Sequence, residues 1–342
     1  VMRTNPEKGI GVDPKWKRIS WDEALDIIAE KLKEIYRTNP KQLLSQISPT
    51  TGRLSGSAGW FGSAFGGDAN SGGGGLFCGN ATHLFGGMVH GAWSYTCDFE
   101  RCSYVLYFGT SKGHAAGHSA GAMMKLAANS RARGMKMVAF DPVSNFAGGK
   151  ATEWVPIIPG TDGAVALAMV NVLLNDLGIY DVEHIKTRTN GPFLIGPDRH
   201  YLRDKESGKP LVWDAGEGKA RVFDDPGVKE YALDGKYTVN GVKCEPAFQL
   251  LKEGVKKYTP EMASEISTVP AATIRRIATE FGQAASIGST ISIQGKTLPL
   301  RPAAALLFRG INGHKNSFNT IGAINLLNEI VGANDVPGGA IG

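Results

Sequence analysis

Cys78 stands alone in the stretch GGGGLFCGNATHLFGGMVHGAW, which runs from Gly72 to Trp93. Four glycines precede it, and Gly79, Asn80 and Thr82 follow. A lone thiol with so little side chain around it has two readings. Free cysteine packs as a small buried hydrophobe. A thiolate bound to a metal ion explains more, because a large cofactor would fill the space and supply the other ligands. His83 and His90 flank a glycine pair, and either is a candidate proton relay because histidine titrates near neutral pH; the plainer reading is a structural histidine. His114 and His118 are four apart, so on a helix they would share a face and could ligate one metal. A zinc site would join Cys78, His83 and one of these, but no second cysteine lies near Cys78 and no HExxH motif exists.

Three further groups follow apolar runs that read as strands. They are Gly109-Thr110-Ser111, Asp141-Pro142-Val143-Ser144 and Pro159-Gly160-Thr161-Asp162-Gly163. In an open α/β sheet, ligands sit outside the carboxyl ends of the strands. Backbone N–H groups and helix N-termini there hold phosphates. Asp141 and Asp162 are short acceptors for the N–H groups of guanine or for a ribose hydroxyl. Turn chemistry at any strand-to-helix junction explains one such loop; three in register favour a nucleotide. The glycines at 109, 113 and 117 do not make GxGxxG, which counts against an NAD-dependent dehydrogenase.

The elements that must position these residues follow an α/β grammar. YVLYFGT, MKMVAFDP and TEWVPIIPG read as strands, the first apolar throughout as in a strand covered on both faces. GAMMKLAANSRARG and TDGAVALAMVNVLLNDLG read as helices between and after them, stopped at Gly134 and Gly178. The pattern predicts a doubly wound, mostly parallel sheet. Upstream, SWDEALDIIAEKLKEIYR carries a Ser20–Glu23 capping box and an apolar face of Leu25, Ile28, Leu32 and Ile35. Residues 51–91 show no sustained period, though their aromatics argue against disorder. Downstream, YLRDKESGKPLVWD predicts a hairpin through Ser207-Gly208. Helices resume at EPAFQLLKEGVKKY, followed by two that open on Pro260 and Pro270. SIGSTISIQG (286–295) reads as a strand and residues 316–332 as the last helix.

The whole composition agrees with a globular chain of about two domains: 342 residues, 42% apolar, 20% charged, net charge +5. Lys and Arg are scattered, which argues against nucleic acid. No apolar run is long enough to span a bilayer. Glycine is the outlier, with 45 residues, about twice the usual ~7% share. The four cysteines, Cys78, Cys97, Cys102 and Cys244, form no disulfide framework in a chain this long. No CxxC is present, which argues against a four-thiolate zinc or iron–sulfur site here.

Four stretches together resemble the molybdopterin oxidoreductases of the dimethyl sulfoxide reductase type, which include formate dehydrogenases and nitrate, polysulfide and arsenate reductases. RTNPEKGIGVDPKWKRISWDEALDIIAEKL resembles the segment after that family's iron–sulfur domain. CGNATHLFGGMVHGAWS resembles its metal-ligand segment, and YVLYFGTS, GMKMVAFDP and WVPIIPGTDGAVALA its dinucleotide-holding core. INGHKNSFNTIGAINLLNEIVGANDVPGG resembles the segment that re-enters the second domain.

The resemblance implies a central fragment of a longer enzyme, because the cluster motif and the C-terminal pterin-embracing domain have no counterpart. Residues 1–77 and 288–342 would form one discontinuous α/β domain, and 78–287 the doubly wound one. It implies a bis(molybdopterin guanine dinucleotide) cofactor with molybdenum or tungsten, a [4Fe-4S] cluster upstream of this chain, and a two-electron reaction on a small-molecule substrate. A partner iron–sulfur subunit is implied, and the compartment, exported or cytoplasmic, is left open. Cys78 would be the metal ligand; alternatively His83 and Gly87 match a His-x3-Cys variant whose ligand position is here glycine. Gly109, Thr110, Ser111, Asp141, Pro142, Ser144, Gly160, Thr161 and Asp162 match dinucleotide-contacting positions. The family often has Asn-Pro where Ser111-Lys112 stands. Gln294, Gly295 and His314 lie in segments that approach the pterins. A hydratase or transhydroxylase, or an accessory subunit that keeps the fold without metal, are the alternatives.

Overall fold

A computed structural model of the chain describes residues 1–46, 60–70, 79–111 and 120–342. The chain divides into two compact units, Val1–Leu76 and Phe77–Gly342.

In the first unit, helix α1 (Trp21–Thr38) begins at the expected cap: Ser20 Oγ accepts the Glu23 N–H at 3.1 Å. Asp22 and Glu23 lie in the first turn, where the helix dipole favours negative charge. The apolar face, however, is not covered by the described residues. Leu25 and Ile28 are 58% and 53% exposed. Tyr36, near the end of the helix, meets Phe65 edge-on at 5.5 Å between ring centroids.

The second unit is built on four parallel strands. In chain order they are β1 (Tyr104–Phe108), β2 (Lys136–Phe140), β3 (Glu153–Val155) and β4 (Ala303–Leu307). Their spatial order is β4-β1-β2-β3, with Ala303 opposite Tyr104 and Tyr104 opposite Lys136. All five side chains of β1 and all five of β4 are buried, so both faces of the sheet are covered, as a parallel sheet requires. The covering helices are amphipathic or apolar. After α2 (Asn80–His90), α3 (Ala120–Ala132) links β1 to β2, and α4 (Asp162–Asn171) follows β3. Then come α5 (Val182–Arg188), α6 (Ala247–Val255), α7 (Pro260–Ser267), α8 (Ala271–Ala284) and, after β4, α9 (Ser317–Ile330). Helix α4 packs against α7, α8 and α9, while α8 and α9 also pack on β4. Residues 194–246 fold as short antiparallel strands around a small second core of Leu194, Leu211, Val239 and Cys244. The expected hairpin closes there, with the Asp204 N–H donating to the Lys209 carbonyl at 2.9 Å and Gly208 at φ +69°.

Two expectations meet a different arrangement. The sequence groups residues 288–342 with 1–77, whereas Ala303–Leu307 is built into the sheet of the second unit. Five consecutive apolar residues need burial on two faces, and pairing with β1 supplies it. The strand expected over 286–295 is a hairpin, Thr290–Ile293 against Lys296–Pro299. Among the described residues no single helix is long and apolar enough to cross a membrane.

Candidate functional site

The carboxyl ends of the parallel strands form a crest, and the loop residues predicted from the sequence stand on it. β1 ends at Phe108, and Gly109 turns the chain with φ +53°. Its N–H donates to the Phe140 carbonyl at 3.1 Å, and its carbonyl accepts the Gly310 N–H at 2.9 Å. That second contact brings the loop after β4 onto the loop after β1. A side-chain carbon on Gly310 would lie 2.6 Å from the Gly109 oxygen, so only glycine permits the approach. Thr110 is buried and Ser111 half-buried behind this contact.

β2 is followed by Asp141, which is 9% exposed. Its carboxylate accepts the Val143 N–H at 3.1 Å and the Asn145 amide at 2.7 Å, and the Trp154 indole donates to its carbonyl at 2.8 Å. The carboxylate is thus fixed from two sides while Pro142 and Ser144 stay exposed. Val143 and Phe146 beside it are 64% and 70% exposed. Apolar surface of this kind beside fixed polar groups suits a planar heterocycle.

The third loop reverses at Gly160, with φ +82°. Thr161 holds the N-cap position of α4, but its hydroxyl turns back to the Ile158 carbonyl at 2.6 Å instead of capping. Asp162, the first residue of α4, is 5% exposed. Burial pushes its carboxyl up to about 6, and the negative charge of Asp141 adds to the rise. Both carboxyls are buried, and backbone N–H groups of Gly160 and of Asp162 itself offset part of the rise.

His314 reaches the same loop, 3.8 Å from where a side-chain carbon on Gly160 would stand. Its Nδ1 accepts the Asn316 N–H at 3.3 Å, so Nε2 carries the proton. That Nε2–H is buried and has no partner among the described residues. A buried donor left unpaired costs about 1–3 kcal/mol, which an acceptor on a bound ligand would relieve.

Helix α2 brings His83 to the same side. Its Nδ1 stands 2.6 Å from the Trp93 carbonyl and so donates to it, leaving Nε2 as the acceptor nitrogen. The ring stacks on Trp93 at 4.0 Å and meets Phe308, the residue after β4, edge-on at 6.1 Å. His90 is seven residues further on, about 10 Å along the helix axis. Its Nδ1 pairs with Asp335 at 2.9 Å, so it is tied to the C-terminal segment and not to the crest.

The crest therefore gathers Gly109, Thr110, Ser111, Asp141, Pro142, Ser144, Gly160, Thr161, Asp162 and His314, with His83 beside the β4 exit. Gln294 and Gly295 are elsewhere: both have positive φ, +51° and +77°, and make the two-residue turn of the hairpin that leads toward the amino end of β4. Cys78, His114 and His118 lie outside the described residues. Cys97, Cys102 and Cys244 are free and buried, and burial raises the Cys97 and Cys244 thiols. Three contributors have no sequence cue of their own: Gly310, Asn145 and Trp154. Each acts through a partner distant in sequence or through a turn. The residues present fit a dinucleotide-bearing cofactor, since the buried His314 Nε2–H wants an acceptor and the Asp141 and Asp162 carboxyls stand beside it as acceptors.

The molybdopterin oxidoreductase family model matches residues 11–341. The A chain of sulfite dehydrogenase from Allochromatium vinosum is 31% identical over 353 residues, covering 94% of this chain and 35% of that protein. The alpha chain of perchlorate reductase from Dechloromonas aromatica is 28% identical, covering 81% of this chain and 34% of that protein. This chain thus spans about a third of the length of these relatives. Among solved structures, acetylene hydratase from Pelobacter acetylenicus superposes with a TM-score of 0.51 over the whole chain at 24% identity, a likeness of fold.

Proposed function

The chain belongs to the molybdopterin oxidoreductase family, and from that premise we propose that it forms the dinucleotide-holding part of a molybdenum or tungsten oxidoreductase acting on a small substrate. The observation that carries the reading is the crest, where a buried carboxyl and an unpaired imidazole N–H flank turns of positive φ. When bound, the pterin-held metal supplies two-electron chemistry.

The chain's own residues bind and orient. Asp141 and Asp162 accept from the N–H groups of a guanine or from ribose hydroxyls. The N-terminal end of α4, with its partial positive charge, would hold the phosphates. His314 Nε2 donates to an acceptor on the same ligand. Cys78, two residues before α2 in the sequence, would hold the metal through its thiolate. His83 Nε2 would take or return a proton, with its Nδ1 proton held by the Trp93 carbonyl. An iron–sulfur subunit carries the electrons, in keeping with the multi-chain naming of the relatives.

The test uses the full-length protein that contains this chain, purified without oxygen. Elemental analysis should find molybdenum or tungsten, and acid hydrolysis should release two guanosine monophosphates per metal. The Cys78→Ala variant should lose dye-linked electron transfer by at least about a hundredfold while retaining the nucleotide. A preparation with neither metal nor guanine nucleotide would sink the proposal; metal without dye-linked transfer would favour a hydratase.

A further inference from the structure

We propose that Asn312 is a positioning residue for this centre: through Thr82 it pins the first turn of α2 to the crest. The proposal rests on the reading of Cys78 and the crest as a cofactor site.

The N-cap of α2 is Gly79, and no side chain caps the helix. Its first turn therefore lacks the local bonds that usually fix a helix start. A tertiary bond replaces them. The Asn312 amide donates to Thr82 Oγ1 at 3.0 Å and to the Phe308 carbonyl at 2.9 Å. Thr82 is 0% exposed and Asn312 9% exposed. A carbonyl accepts only, so the NH2 end must face Phe308, which fixes the amide's orientation. Both N–H groups are spent on the bridge. The Oδ1 is buried with no partner among the described residues, so the side chain serves here as a donor only.

The bridge joins two segments that the crest needs in register. Phe308 and Asn312 bracket Gly310, whose N–H holds the Gly109 carbonyl. Thr82 lies four residues after Cys78 and beside His83. A side-chain carbon on Gly79 would already stand 3.1 Å from His83 Nε2 and 3.4 Å from the Phe308 ring, so the turn has little room to drift while the bridge holds. Without it, the Thr82 side of the helix start loses its tertiary hydrogen bond, and the His83 bond to the Trp93 carbonyl remains.

The experiment compares Thr82→Val, Thr82→Ser and Asn312→Leu in the full-length protein. Valine has the shape of threonine without its hydroxyl, so it tests the bond even if Asn312→Leu fails to fold. Amide exchange over residues 80–86, followed by mass spectrometry, should rise about tenfold in Thr82→Val and Asn312→Leu and stay near the parent rate in Thr82→Ser. Molybdenum or tungsten content should fall in the two loosened variants and recover in Thr82→Ser. Unchanged exchange in Thr82→Val overturns the proposal, and so does full metal content in a variant whose helix start has loosened. If the parent protein itself holds no metal, the cofactor reading fails, and the exchange contrast alone decides whether Asn312 pins the turn.

Discussion

Asp162 shows how one residue couples the site to stability. Burial is the larger cause of its raised carboxyl, about 6 against an ordinary 3.8, with Asp141 adding repulsion. A carboxyl that is harder to ionise folded than unfolded stabilises most when protonated. Stability through this group is therefore full below about pH 4, falls as the pH rises to about 6, and stays low above it. The loss is on the order of 2–3 kcal/mol. Asp162→Asn should abolish that slope and leave the apo chain about 2 kcal/mol more stable at pH 7, as urea midpoints at pH 4.5 and pH 7 would show. A midpoint at pH 7 no higher than the parent's would contradict the burial argument. The same substitution should weaken binding of a guanine nucleotide, because an amide cannot accept from two ring donors as a carboxylate does. Stability and binding would then move in opposite directions, as expected where a site carries strain relieved by its ligand.

At the scale of elements, β4 is an edge strand that nonetheless exposes nothing. Its free backbone side is sealed by Asn328 of α9: the Ala305 N–H donates to Asn328 Oδ1 at 2.7 Å, and the Asn328 amide donates to the Ala305 carbonyl at 2.9 Å. One fully buried side chain thus replaces a neighbouring strand. Asn328→Leu keeps the volume but leaves two backbone groups unpaired, and should cost about 2–4 kcal/mol in chemical denaturation. Asn328→Asp, which keeps the acceptor, should retain part of the bond to the Ala305 N–H. Asparagine does similar work in the helix expected over 161–178. It begins as α4 but widens to a π-helix over Val172–Leu177 before Gly178 ends it. There Asn171 donates to the Tyr258 carbonyl at 3.1 Å and Asn175 to the Lys252 carbonyl at 3.0 Å. Apolar periodicity locates such a helix, but the wider turn goes with partners more than seventy residues away.

Across the second unit, the chain leading into β4 is locked to the region beyond α4 by one buried ion pair. Arg301 Nη2 and Nε reach Asp181 Oδ2 at 2.6 and 3.0 Å, with both side chains 7% exposed. Asp181 also caps α5, accepting the His184 N–H at 3.0 Å. Removing one charge strands the other in a medium that solvates it poorly. Asp181→Asn should therefore cost about 3–5 kcal/mol, whereas Arg301→Met with Asp181→Asn should cost clearly less than the sum of the two single changes. Thermal or urea unfolding of the four proteins checks this. The pair also explains how residues beyond 288 come to belong to this unit: β4 supplies the apolar burial, and Arg301 and Asn328 supply the polar fastening.

Much of this is legible in the residues. YVLYF and MKMVAF read as strands, Ser20 and Gly134 mark a helix start and a helix end, and Gly109, Asp141 and Gly160 stand in the turns that follow strands. The reason is local: backbone geometry and apolar period are set within a few residues. AAALL at 303–307 escapes such a reading because alanine-rich apolar runs suit helix as well as strand. The crest itself is decided by tertiary structure. Only the pairing of β4 with β1 puts Gly310 on Gly109, Asn312 on Thr82 and His314 near Gly160, and no spacing along the chain encodes contacts that cross such long stretches of it. The sequence determined which groups were available to bind and which segments would carry them. Packing determined which of them meet, because burial of the strands fixes the register and register fixes the neighbours.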